Sequence, residues 1–291
     1  DRAVDTNPHA WGDDATYHTG TFNTSGGKIL SITDASVLNK YMLDQALDLI
    51  HADGGPDAEI VFLGDYVDRG PDSRAVIETL IAGQEAGRNW TFIMGNHDRM
   101  FTRFVRDGAE HDPRISSGLS WLNRRMGGEA TLQSYNIGGG NGPSFLHPSG
   151  GGLETLVSYG IASGDFDPAQ LVALARQSVP KHHLEFIEKL PLTYQTDDLI
   201  FVHAGLKMER PLEWQDPEDL LWIREGFLES RIDYGKLIVH GHTALDQPQH
   251  YGNRVNLDGG AGYGNPLIPA VFERRQCWLL TKDGRVPLTA G

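Results

Sequence analysis

The sequence has a single cysteine and no long apolar run. Cys277 cannot form a disulfide within the chain, and the apolar residues after it predict that it packs as a small core side chain. A lone cysteine also excludes a cysteine-rich zinc site. No stretch of 18 apolar residues occurs, so we expect no membrane-spanning helix. We expect a cytoplasmic protein, with removal of an export signal ahead of Asp1 as the alternative.

Basic residues are scarce relative to acidic ones. The chain has 25 Lys and Arg against 39 Asp and Glu, a formal net charge of -14 at pH 7. Nucleic-acid backbones are held by clustered positive charge, so neither a nucleic acid nor a membrane is expected as a partner. The oligomeric state does not follow from these numbers.

The order of apolar patterns predicts one α/β domain behind a polar extension. Residues 1–27 show no periodicity, and residues 28–291 form the predicted domain. Its first part alternates buried strands with amphipathic helices, which predicts a βαβαβ core with a largely parallel sheet. The patterns are an apolar run from 28, a helix through Ile50, a strand at Glu59–Leu63, a helix at Ser73–Ala86 and a strand at Trp90–Met94.

The middle of the chain, from about 99 to 190, is predicted to be a helical and loop insertion. It contains a glycine-rich stretch, Gly138–Gly152, which we interpret as a surface loop. The loop is either a lid near the site or an insertion without a function of its own, and we favour the second. His182 and His183 are expected on the solvated face of one amphipathic helix. Three strand-like runs follow, at Leu199–Val202, Leu237–Val239 and Val271–Leu280.

Carboxylate, amide and imidazole side chains follow several of these strands, where parallel strands present a functional edge. Mixed oxygen and imidazole ligands suit manganese, which we expect first, or iron or zinc. Two such ions about 3.5 to 4 Å apart would polarise both an attacking oxygen and a phosphate. Asp65 is the candidate bridging ligand between them.

Four motifs in this order carry a resemblance: GDYVDRG at 64–70, GNHD at 95–98, VHAG at 202–205 and VHGHT at 239–243. Together they resemble the phosphoprotein phosphatase family of calcineurin-like metallophosphatases, most closely the bacterial serine/threonine-type members. The resemblance implies two packed mixed β-sheets flanked by helices. It also implies a metal-dependent phosphoric monoester hydrolase that acts on a phosphorylated protein or peptide, through serine, threonine or tyrosine, or on a small phosphoester. Hydrolysis of a nucleotide or dinucleoside polyphosphate is the alternative.

The resemblance also implies a role for individual residues. The first metal would be held by Asp34 and Asp65, and the second by Asp65, Asn96, His203 and His242. His97 would protonate the leaving oxygen, oriented by Asp68. The phosphate would be held by Arg69, Arg224 and Asn96. The implied reaction is a direct in-line attack on phosphorus by a metal-bridging hydroxide.

The first motif departs from the family pattern, because Ser36 stands where family members carry a histidine ligand. We interpret this as a weakened or unusual first metal site. A substitute ligand, His9 or His18, and a different placement of the motif are the alternatives. A catalytically impaired phosphate-binding module also remains open on this ground.

Other residues near the motifs carry weaker signals. His240, two residues before His242 in an extended segment, points to the opposite face and is expected in the core or behind the site. Trp121, Trp222 and Tyr263 could line a substrate groove, although core packing is at least as well supported by the sequence.

Overall fold

The computed structural model describes residues 29–32, 40–115, 117–123, 125–137 and 168–291. Several predictions lie outside the described residues. These are the polar extension 1–27 with His9 and His18, the first-motif residues Asp34 and Ser36, and the Gly138–Gly152 loop.

The first sheet has six strands in the order β11-β10-β9-β1-β2-β3. Three of them run parallel, β1 (Ile29–Ile32), β2 (Glu59–Phe62) and β3 (Trp90–Phe92). Helices α1 (Lys40–Gly54) and α2 (Ser73–Glu85) lie between them in the chain. The predicted βαβαβ core is therefore confirmed. Three antiparallel strands extend the other edge, namely β9 (Ala270–Glu273), β10 (Gln276–Thr281) and β11 (Gly284–Pro287).

The second sheet has five strands in the order β4-β5-β6-β8-β7. Its centre is parallel and consists of β5 (Leu199–Val202), β6 (Leu237–His240) and β8 (Arg254–Asn256). The edges are antiparallel, β4 (Thr193–Gln195) and β7 (Gln249–His250). Both sheets are therefore mixed, as expected.

An apolar core joins the faces of the two sheets. Val61 in β2 and Ile93, directly after β3, share one buried cluster with Phe201 and Val239 of the second sheet. The rings of Phe201 and Phe272 meet edge to face across the sheets, with centroids 6.1 Å apart. Cys277 is buried in the same cluster, as predicted.

The described helices of the middle segment pack outside the first sheet in a second large apolar core. Its largest fully buried side chains include Phe101, Phe104 and Trp121. The helices are α3 (Asn96–Asp107), α4 (Gly128–Ser134), α5 (Pro168–Ser178) and α6 (Lys181–Glu188), and α7 (Pro217–Trp222) follows β5. None of the helices in the described ranges has the length and apolar composition that a bilayer crossing requires.

Two local predictions are wrong. Val271–Leu280 is a hairpin of β9 and β10 rather than one strand, because the chain turns at Arg274, which has a φ of 56°. His183 is fully buried, because its ring packs against Tyr135 and its Nδ1 lies 2.9 Å from the Tyr135 hydroxyl. Only its neighbour His182 is exposed.

Candidate metal and phosphate site

The motif residues meet where the strands of both sheets end. Asp65 follows β2 and Asn96 opens α3 just after β3, while His203 follows β5 and His242 follows β6. The carboxyl ends of neighbouring parallel strands share an edge, so four segments distant in sequence reach one place. The convergence predicted from the motif order is therefore present for every described ligand candidate.

Two glycines allow the loops after β2 and β3 to touch. A Cβ on Gly64 would lie 2.5 Å from the backbone nitrogen of Gly95, and one on Gly95 would lie 2.2 Å from Oδ1 of Asp65. Gly64 also has a φ of 94°, a conformation that glycine adopts without steric cost. Side chains at these positions would push the Asp65 and Asn96 loops apart.

Asp98 ties the same two loops together. Its Oδ2 accepts hydrogen bonds from the backbone nitrogens of Asp65 and Gly95, both at 2.8 Å. Its Oδ1 accepts one from the backbone nitrogen of Tyr66 at 2.6 Å. The side chain is fully buried, so its three backbone partners fix the spacing of the two loops.

Lone pairs face one another at the centre of the site. Nδ1 of His203 lies 2.8 Å from the carbonyl oxygen of Leu63, which can only accept, so this nitrogen carries the proton. In the neutral ring Nε2 is then an acceptor, yet it lies 2.8 Å from Oδ1 of Asn96. It also lies 3.5 Å from Oδ2 of Asp65. This contact is repulsive in the neutral ring, and either a second proton on His203 or a cation among the atoms would relieve it.

His242 completes this cluster. Its Nδ1 lies 2.8 Å from the same Oδ1 of Asn96. Burial, together with the nearby His203 and Arg224, holds the pKa of His242 well below its usual value, so the ring is neutral at neutral pH. Burial alone would raise the pKa of the Asp65 carboxyl, but His203 and His97 outweigh it and hold that pKa below its usual value.

The donor set fits a divalent ion of the manganese, iron or zinc type. It offers one carboxylate, one amide oxygen and two imidazole nitrogens, from Asp65, Asn96, His203 and His242. Within the described ranges, no three His, Cys, Asp or Glu side chains form a metal-binding group by themselves. The amide oxygen of Asn96 is what brings the two histidines into one set. Whether Asp34 adds a ligand stays a prediction.

A buried acid–base pair lies beside this cluster. Nδ1 of His97 is 2.5 Å from Oδ2 of Asp68, and both side chains are almost fully buried. The other ring nitrogen, Nε2, is 2.9 Å from Nη2 of Arg69. A guanidinium can only donate, so Nε2 accepts and Nδ1 carries the proton that is shared with Asp68.

Asp68 is held by two residues that the sequence did not single out for this role. Nε1 of Trp121 donates a 2.8 Å hydrogen bond to Oδ2 of Asp68. The hydroxyl of Thr131 donates to Oδ1 at 2.7 Å and accepts from the Asp68 backbone nitrogen at 2.7 Å. The middle segment, read from the sequence as an insertion, therefore supports the site directly. Trp121 lies in the core and not in a substrate groove.

The predicted phosphate-binding arginines line one cavity of about 150 Å³. Arg69 and Arg224 share it with Asp65, Asn96, His97 and His242. Tyr263 stands at the rim with 71% of its surface exposed, and the guanidinium carbon of Arg69 lies 5.4 Å from its ring centroid. Arg114 also lines the cavity and was not predicted. A larger groove of about 500 Å³ beside α1 is mainly apolar and contains none of the motif residues, so the chemistry favours the smaller cavity.

The backbone is strained at four of these positions. Asp65, Asp68, Arg69 and His242 have φ values of 56°, 79°, 55° and 65°. This left-handed region is costly for residues other than glycine, and it persists where surrounding contacts impose it, commonly at functional sites. At Arg69 the contact is a 3.2 Å hydrogen bond from its nitrogen to the carbonyl of Gly127.

The sequence matches the calcineurin-like phosphoesterase family over residues 27–268, which include every motif above. The chain belongs to this family. Members of this family use a centre of two divalent metal ions. Membership implies that the protein is a phosphoester hydrolase. The family and fold expected from the four motifs are confirmed.

Curated relatives of this phosphoesterase are similar along most of their length. The asymmetrical bis(5'-nucleosyl)-tetraphosphatase PrpE of Geobacillus sp. is 23% identical over 244 residues, which cover 78% of this chain and 79% of that protein. The enzyme of the same name from Oceanobacillus iheyensis is 23% identical over 236 residues, covering 75% of each chain.

Solved structures agree in fold. A candidate diadenosine tetraphosphatase superposes with a TM-score of 0.55 at 19% identity, over 93% of this chain and 98% of that one. A cold-active protein tyrosine phosphatase superposes with a TM-score of 0.53 at 14% identity, over 91% and 79%. At these identities the likeness shows a common fold.

His240 lies behind the calcineurin-like site, in agreement with the sequence interpretation. It is fully buried, and its ring packs against Phe227 with centroids 4.9 Å apart. Burial, with Arg254 adding to it, lowers the pKa of His240 to about 3. It is therefore a neutral core residue at neutral pH.

Proposed function

We propose that this phosphoesterase hydrolyses the phosphate chain of dinucleoside polyphosphates, with Arg69 and Arg224 holding the phosphoryl group that is attacked. The observation that carries phosphoester hydrolysis at this site is the shared cavity, which is lined by two guanidinium groups, the His97 ring and the side chains of Asp65, Asn96 and His242. A planar guanidinium can make paired, charge-assisted hydrogen bonds to two oxygens of one phosphoryl group.

Asp65, Asn96, His203 and His242 would hold divalent metal ions, with Asp34 as the further ligand implied by the resemblance. Bound there, such ions would lower the pKa of a water molecule and stabilise negative charge on phosphoryl oxygens. The chain itself contributes the orientation of the substrate, since Arg69 and Arg224 fix it from the cavity side.

His97 would supply the proton for the leaving oxygen. That role requires a proton on Nε2, the nitrogen that accepts from Arg69 in this structure. A bound phosphoryl group would draw the Arg69 guanidinium to its own oxygens and so free Nε2. Asp68 would keep Nδ1 protonated and stabilise the charged ring, as an orienting carboxylate does.

The choice of a dinucleoside polyphosphate rests on the curated relatives, whose names specify bis(5'-nucleosyl)-tetraphosphates and which match about three quarters of the chain. The exposed ring of Tyr263 at the cavity rim supports it, because a nucleobase stacks on such a surface. A phosphorylated protein is the second candidate. The order of the four motifs favours it, since this signature resembles protein phosphatases.

A side-by-side assay separates the candidates. The full chain, purified with manganese, would be given diadenosine tetraphosphate, a phosphoserine or phosphothreonine peptide and p-nitrophenyl phosphate. We expect the highest kcat/KM for diadenosine tetraphosphate. A higher value for the peptide would assign the protein phosphatase function. If none of the three substrates is hydrolysed and the chain still binds inorganic phosphate, the catalytically impaired phosphate-binding module is indicated.

A further inference from the structure

Arg114 is a third arginine at the cavity, on the loop that follows α3. It lines the same cavity as Arg69 and Arg224. Its side chain is 44% exposed, whereas the His97 and Asp68 side chains beside it are nearly inaccessible. None of the family motifs contains it, and no role follows for it from the resemblance.

Acidic partners fix the direction of this side chain. Nε of Arg114 lies 3.6 Å from Oε2 of Glu218, and Nη2 lies 3.4 Å from Oδ1 of Asp219. The backbone nitrogen of Arg114 donates a 2.9 Å hydrogen bond to Oδ1 of Asp112. These contacts hold the loop while leaving the partly exposed guanidinium beside the cavity.

Arg99 fixes the partners in turn. It binds Glu218 through Nη1 at 2.5 Å and Nη2 at 2.9 Å, and Asp112 through Nη2 at 3.2 Å. The side chains of Arg99 and Asp112 are only 11% and 1% exposed, so this part of the network is shielded from solvent. Arg114 is therefore presented by a preorganised frame, which reduces the entropy lost when a ligand binds.

Three guanidinium groups line the cavity, and two of them are enough to hold one phosphoryl group. Arg69 and Arg224 can supply paired contacts to the group under attack, with the metal-ligand cluster behind it. A third guanidinium at the rim matches a second phosphoryl group, and a simple phosphomonoester does not have one. We propose that Arg114 binds the phosphoryl group next to the one that is attacked. This proposal rests on the proposed function, and it assigns to Arg114 the selection of polyphosphate over monophosphate substrates.

Binding of ADP and AMP tests the proposal, because the two nucleotides differ by one phosphoryl group. Dissociation constants would be measured by calorimetry on the full chain at fixed free manganese. We expect ADP to bind the native chain about tenfold or more tighter than AMP, since a charge-assisted contact contributes about 1.5 to 3 kcal/mol. In Arg114→Gln the ratio of the two dissociation constants should fall towards one, and in Arg114→Lys it should fall part of the way.

Arg103→Gln is the matched control. Arg103 binds the same Asp112 at 2.9 Å but does not line the cavity, so the ratio should stay at the native value. The proposal is overturned if Arg114→Gln weakens ADP and AMP equally, or changes neither. It is equally overturned if Arg103→Gln lowers the ratio as much, because the effect would then come from the network and not from Arg114.

The outcome is separable from that of the proposed function. If the native chain hydrolyses the phosphopeptide in preference to diadenosine tetraphosphate, the substrate assignment fails. The ratio for ADP and AMP still reports whether Arg114 recognises a second phosphoryl group. If diadenosine tetraphosphate is the preferred substrate and the ratio is unaffected by Arg114→Gln, the function stands and the role of Arg114 fails.

Discussion

The indole of Trp121 donates a hydrogen bond to Asp68, the carboxylate that orients His97, over a distance of 2.8 Å. Both residues are fully buried, and they lie 53 positions apart in the chain. The hydrogen bond ties the core of the middle segment to the acid–base pair. Under the proposed function, Trp121 is a positioning residue that acts on the reaction through Asp68 and His97.

Replacement of Trp121 tests this relationship. Trp121→Phe keeps most of the buried ring but removes the donor to Asp68, so we expect kcat to fall about tenfold or more with KM and bound metal little changed. Hydrogen bonds to charged groups contribute about 1.5 to 3 kcal/mol, and about 1.4 kcal/mol is tenfold in rate.

Phe104→Leu is the control for Trp121→Phe. The Phe104 ring packs against the Trp121 ring, with centroids 4.6 Å apart, and cannot form a hydrogen bond with Asp68. This variant should lower the free energy of unfolding while leaving kcat close to native. An equal fall of kcat in both variants would reduce Trp121 to a packing role.

Asp98→Asn should loosen the loops that carry the metal ligands. The carboxylate accepts three buried backbone hydrogen bonds, and an amide in its place turns at least one N–H towards another N–H. Each buried donor left unpaired costs about 1 to 3 kcal/mol. We expect a lower unfolding free energy in urea and less bound manganese, whereas Asp107→Asn, at the exposed end of α3, should change neither. Native stability and metal content in Asp98→Asn would refute this role.

His183 should make stability depend on pH. Burial, with the neighbouring His182 adding to it, lowers the pKa of His183 to about 4, while an unfolded histidine titrates near about 6.5. As pH falls below about 6.5 the unfolded state binds the proton first. The contribution of the neutral ring is therefore complete above that pH and is lost as pH falls towards 4. The free energy of unfolding, measured in urea between pH 4 and pH 7.5, should depend less on pH in His183→Gln than in the native chain. His111→Gln, which removes an exposed histidine, should keep the native pH dependence.

The first metal site gives a separate prediction, based on the resemblance alone. If Ser36 weakens that site, the full chain purified in manganese should hold fewer than two tightly bound ions, and Ser36→His should raise the number. His9→Ala and His18→Ala test the substitute ligands, since loss of metal in either variant would identify it. If the native chain and both of these variants hold two ions tightly, the first metal site is not weakened and neither His9 nor His18 is its substitute ligand.

Sequence patterns predicted the parts of the molecule in which the local apolar pattern matches the burial of the segment in the fold. The strands before Asp65 and Asn96 are apolar runs ended by motif residues, so their position and the meeting of Asp65, Asn96, His203 and His242 could be predicted. The prediction of one strand over Val271–Leu280 was wrong because Arg274 occupies a left-handed turn position, where glycine or asparagine is usually found. A helical apolar pattern does not reveal that Tyr135 covers His183.

The supporting residues of the site could not be predicted from the sequence. Trp121 and Thr131 reach Asp68 across 53 and 63 residues of chain, and such contacts leave no local pattern. Arg114 was missed for the same reason, because its partners Glu218 and Asp219 lie on a separate helix, more than one hundred residues away. Rings and guanidinium groups of this kind look like ordinary core or surface residues until the fold is known.

Metal content measured together with turnover tests the central claim most directly. Asp65→Asn removes the carboxylate proposed to bind the metal, so we expect it to lose both bound manganese and hydrolysis of p-nitrophenyl phosphate. His97→Ala removes the proposed proton donor and none of the proposed metal ligands, so we expect native manganese content with turnover lowered by about 10² to 10⁴. Equal loss of manganese in the two variants, or native manganese and turnover in Asp65→Asn, would contradict the assignment of Asp65 to the metal and of His97 to the proton.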